Sequence, residues 1–183
     1  MAPSHGRINA SDIDAITTAA EAGEPFHAYC LAWWHAEGHY VARDPQAARH
    51  WFSLLARLAG EKGTLEQLRY LRRERDVAGF EAAFDATPDW RLGAIHRLKA
   101  EFLADRAGPS DEIARLLQRA AERGDLIARC RLHRLRHRGG QRLAGLGGEL
   151  TIIIAILRQF WANPKDDSIL LRWEPDRPDD LAG

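Results

Sequence analysis

The 183-residue chain comes close to repeating itself. Residues 19–28 read AAEAGEPFHA and residues 120–128 read AAERGDLIA; Gly23 and Gly124 stand 101 positions apart, as do Leu31 and Leu132. That distance is about three periods of ~34 residues, the length of one helix–turn–helix unit of a solenoid. Such units cannot bury an apolar face alone, so they stack, and the stack usually presents a binding surface rather than a catalytic pocket. The pattern predicts an all-α fold, a short α-solenoid of about four stacked antiparallel helix pairs.

Charge and composition narrow the reading. Basic and acidic residues number 26 each, so no net field draws the chain to nucleic acid or to an anionic membrane. The 45% hydrophobic and 28% charged content is that of a soluble globular domain. Only Lys62, Lys99 and Lys165 are lysines; nearly all the positive charge is arginine, which suits bidentate contacts. The opening MAPSHGRINA lacks the apolar centre of a signal peptide, and the longest apolar run, 150–157, is far too short to span a bilayer. Cys30 and Cys130 are too few for a disulfide framework. A cytoplasmic protein is expected.

Caps and breakers then divide the chain. Ser11 is expected to cap a helix ending at Gly23, and Phe26 to Glu37 reads as a helix apolar nearly all round that stops at Gly38. Asp44-Pro45 joins an N-cap carboxylate to a proline at the first helical position. It predicts a helix to about Ala59, with Ala48, Trp51, Phe52, Leu55 and Ala56 on one stripe. Thr64 is read as the next cap, with Leu65, Leu68 and Leu71 inward and Arg69, Arg72, Arg73 and Arg75 outward. Further helices are expected over Val77–Phe84, over Trp90–Leu103, from Ser110 to Gly124 and over Leu126–Arg136. The five glycines of 138–148 read as a loop, and 150–161 as a last apolar helix. Residues 164–183 read as an extended, acidic, proline-containing tail, which leaves a helical domain over 1–163.

One segment carries a specific pattern. Counting from Asp44, Gly38 and Val41 precede it by six and three, while Ala48, Trp51, Phe52, Leu55 and Ala56 follow by four, seven, eight, eleven and twelve. This resembles the Sel-one-like repeat, a tetratricopeptide-like unit, with the best match over 27–60. Here His35 stands for the repeat's Tyr, Tyr40 for its second loop Gly, Leu55 for its first paired Ala, and the closing Gly falls one place late at Gly60. A partial match covers 94–139, where Leu116 takes the Trp position. The resemblance implies an α-solenoid scaffold for protein–protein contact, often in bacterial complexes, and it carries no catalytic residues.

Other clusters compete with that reading. Cys130, His133 and His137 fall on one helical face and could supply zinc ligands, but no fourth ligand is evident and the bland alternative is packing and polar surface. His35 and His39 are four apart, yet a histidine hydrogen-bonded to backbone explains His35 more simply. No metalloprotease, phosphate-cradling or nucleophile-elbow motif is present. Arg129, Arg131, Arg134, Arg136, Arg138 and Arg142 could neutralise phosphates, but on a helix they spread over several faces and lack an aromatic stacking platform. Trp33 and Trp34 are neighbours about 100° apart on a helix, so either one of them serves as an aromatic anchor or both are sandwiched between flanking helices.

The sequence thus leads to a non-enzymatic module that binds one dedicated protein partner, as an adaptor, accessory or immunity-type subunit does. No cofactor or metal is called for. The partner-binding residues expected are Trp33, Trp34, Arg69, Arg72, Arg73, Arg131 and Arg134, with the arginines forking carboxylates on the partner. A nucleic-acid binder using 129–142 and a small zinc protein built on Cys130, His133 and His137 are the alternatives.

Overall fold

The computed structural model of the chain describes residues 8–86 and 90–137, with side chains through Leu135. Every element among the described residues is a helix: α1 (Ala10–Glu21), α2 (Pro25–Glu37), α3 (Pro45–Ala59), α4 (Glu61–Arg73), α5 (Val77–Asp85), α6 (Gly93–Ala104), α7 (Ser110–Glu122) and α8 (Leu126–His137). Two compact units divide the chain: Met1–Asp125, which holds α1–α7, and Leu126–Gly183, which holds α8. The expected loop over 138–148, the helix over 150–161 and the acidic tail, with the 163/164 boundary, lie outside the described residues. No helix of the described residues is long and apolar enough to cross a membrane.

The two near-repeated segments end their helices in the same way. After α1 the Gly23 N–H donates to Ala20 and the Glu24 N–H to Ala19; after α7 the Gly124 N–H donates to Ala121 and the Asp125 N–H to Ala120. Both glycines hold the left-handed conformation that closes such a turn, with φ of 101° and 85°. The same pair of bonds ends α4 and α6, but there the left-handed residues are Arg75 (φ 56°) and Ala107 (φ 52°). A Cβ in that conformation costs roughly 1–2 kcal/mol, and the added freedom of glycine in the unfolded chain takes back part of it. Ala107→Gly is therefore expected to raise stability by about 0.5 kcal/mol, read as a higher urea midpoint at unchanged slope; a lower midpoint refutes the strain argument.

Helix starts follow the capping rules, though not always on the expected residue. Asp44 accepts from the N–H groups of Gln46 (2.9 Å) and Ala47 (3.1 Å), with Pro45 at the first helical position. At α1 the cap is Asn9, not Ser11: the Asn9 side chain accepts from the Asp12 N–H and the Asp12 carboxylate accepts from the Asn9 N–H, a reciprocal capping box. Helix α4 begins at Glu61, not at Thr64, whose buried hydroxyl donates to the Gly60 carbonyl inside the first turn. Helix α6 begins at Gly93 rather than Trp90. The N–H groups of Arg91 and Leu92 are taken by the Glu61 carboxylate at 2.9 and 2.6 Å, and the Trp90 indole donates to the Phe84 carbonyl. At α7 the cap position is Pro109, and Ser110 is the first helical residue.

In the first unit α1 packs on α2, α2 on α3, α3 on α4, and α4 on both α5 and α6, while α6 packs on α7. Of the expected stripe on α3, Ala48, Trp51, Phe52 and Leu55 are buried as the spacing predicts, while Ala56 is half-buried. Phe52 joins the Tyr70 ring of α4 (centroids 4.7 Å, stacked) and the Trp33 ring of α2 (5.1 Å, edge-on), so one aromatic cluster locks three helices. Helix α6 departs from an amphipathic pattern: every residue from Gly93 to Phe102 is buried, including His96, Arg97, Lys99 and Glu101.

Lys99 shows what such burial demands. The rings of Phe80 and Phe102 stack with centroids 3.9 Å apart, and the Lys99 Nζ lies 5.8 and 5.7 Å from those centroids. The Phe84 ring is nearer still, at 5.1 Å, so three aromatic rings surround the ammonium within cation–π range. The ammonium is also paired with the Glu81 carboxylate, which remains 38% exposed. Lys99→Met keeps the stem, removes the desolvated charge and leaves Glu81 to water. Stability is expected to stay level or to rise by about 1 kcal/mol, as measured by thermal and urea unfolding; a clear loss would show that the ion pair is net stabilising.

Candidate functional site

Helix α2 carries more apolar surface than its neighbours can cover. Ala28, Leu31, Ala32 and Ala36 are buried against the core, yet Phe26 is 70% exposed and Tyr29 40%. Tyr40, in the turn that follows, is 61% exposed. Phe26, Tyr29 and Trp33 fall at i, i+3 and i+7 and so form one ridge of the helix. The Tyr29 and Trp33 rings meet edge-on at 6.5 Å, and Trp33 continues inward to Phe52. The ridge therefore grades from open solvent at Phe26 to the core at Trp33.

Helix α4 flanks this ridge. The Arg73 guanidinium lies 5.0 Å from the Trp33 ring centroid, pairs with Glu37 at the end of α2 and sits 3.8 Å from Glu74. Arg69 pairs with Glu66 at 2.7 Å. Burial, reinforced by Glu66, pushes the Tyr29 phenol above its ordinary pKa, with Arg69 opposing. Burial also pushes the neighbouring Cys30 thiol up, which leaves it a poor nucleophile at neutral pH.

Of the expected partner-binding residues, Trp33, Arg69 and Arg73 meet on this face. Trp34 is half-buried and turns to the other side, where its ring contacts Tyr40 at 4.8 Å. Arg72 points away from α2 and bonds Glu101 (2.6 Å) and Asp105 (2.8 Å). Arg131 and Arg134 lie on α8, in the second unit, half-buried and exposed respectively. The sequence reading missed Phe26 and Tyr29; the signal was available, since a helix apolar on all sides has more oily surface than one neighbour can cover.

The competing clusters gain little. Among the described residues no group of three His, Cys, Asp or Glu side chains could hold a metal ion; the His137 side chain lies outside them. Arg136 is likewise described only as helix backbone, and Arg138 and Arg142 lie beyond. The His35 side chain, expected to bond backbone, makes no hydrogen bond through Nδ1, while its own carbonyl accepts from the Asp44 N–H. Comparison with family models, with curated proteins and with solved structures finds no match to this chain.

Proposed function

We propose that the chain is a short α-solenoid of the Sel-one-like kind, a cytoplasmic, non-enzymatic module that binds one dedicated protein partner through the α2–α4 face. The observation that carries this reading is the reach of its ion pairs. Arg43–Glu74, Arg73–Glu37, Arg72–Glu101, Arg72–Asp105 and Arg97–Asp125 join residues 31, 36, 29, 33 and 28 positions apart, near one ~34-residue period, while Arg49–Asp76 spans 27 and Lys99–Glu81 18. Bonds of that reach are what stacking of successive helix pairs calls for, since each pair then touches the same part of the next.

Other features agree. The near-repeat falls at the α1–α2 and α7–α8 turns, six helices apart, which is three pairs. Ser11, Asp14, Thr18 and Glu21 give α1 an exposed polar side opposite the side packed on α2. Arg69 and Arg73 hold acids of the chain itself, so the contact energy is assigned to the aromatic ridge, with the arginines framing it.

The test is retention of a partner from an extract of the source organism on the immobilised full chain, beside Phe26→Ser/Tyr29→Ala. Phe26 is 70% and Tyr29 40% exposed, so the variant is expected to unfold within a few degrees of the parent. One protein held in fixed ratio by the parent and at least roughly 30-fold more weakly by the variant is the expected result. Equal retention by both chains, or no retained protein, rejects this face.

A further inference from the structure

We draw no further inference here: the strongest candidate, the aromatic ridge of Phe26, Tyr29 and Trp33 on α2, is flanked by charges already matched to one another (Arg69 with Glu66, Arg73 with Glu37), so nothing in the structure shows what covers it.

Discussion

Replacing Gly63 by alanine is expected to be among the most damaging single changes the chain can suffer, although it adds one methyl group in a helix. A Cβ at Gly63 would stand 2.2 Å from the Leu55 carbonyl oxygen, 2.6 Å from its carbon and 2.9 Å from the Ala56 Cα. All three are backbone atoms of α3, so no rotamer change can make room; α4 must move off α3. That motion pulls at the Phe52–Tyr70 stack and at the Gln67–Ser53 hydrogen bond. Alanine is the better helix former by ~1 kcal/mol, but that gain is outweighed by the overpacking. We expect a net loss of about 3 kcal/mol, or roughly 6–12 °C in Tm for a chain of this size. Gly79→Ala is the informative comparison: the three atoms nearest its Cβ all belong to the Asp76 side chain, with a carboxylate oxygen at 2.7 Å, and that side chain can swing aside at the cost of a cap and of its pair with Arg49. Equal, small losses for the two variants would mean that α3 and α4 separate easily.

Gly63 also shows where sequence reading stops. Thr64 reads as a cap, so the helix is expected from there, whereas α4 runs back through Gly63 to Glu61, and the bare Gly63 fits beside the Leu55 carbonyl. Local rules were enough for α3: Asp44, Pro45 and the Trp51 stripe are decided within one turn or one face. They failed where a partner lies 29–33 positions away. Leu92 and Arg91 are kept out of α6 by Glu61, and Arg72 is drawn from the outer surface by Glu101 and Asp105. The candidate face was half legible for the same reason. Trp33 and the arginines of α4 could be picked from composition and spacing, but that Glu37 claims Arg73 follows only once α2 and α4 lie side by side.

The second large effect is expected at Arg97, the centre of the buried charge on α6. Its guanidinium donates to Asp125 at 3.0 Å and to Glu101 at 2.7 Å; Glu101 also receives Arg72 at 2.6 Å. Burial works to lower the Arg97 pKa, yet Asp125 and Glu101 outweigh it and hold the value above that of an ordinary arginine. A folded-state pKa raised above the unfolded one stabilises below the unfolded value, so Arg97 contributes fully at neutral pH, where the two carboxylates that hold it are charged. Arg97→Met keeps most of the stem but leaves two carboxylates, both under a tenth exposed, without their shared cation. Breaking a buried pair from one side costs about 3–5 kcal/mol, far more than the neutral outcome expected at Lys99, whose partner can return to water. Urea unfolding of the parent, Arg97→Met, Glu101→Leu and the double variant separates the causes. If the loss comes from the broken ion pair, the double variant loses less than the sum of the two single changes. Strictly additive losses would instead show that Arg97 acts by packing alone, and the buried network would lose its role in fixing α4, α6 and the turn at Asp125 against one another.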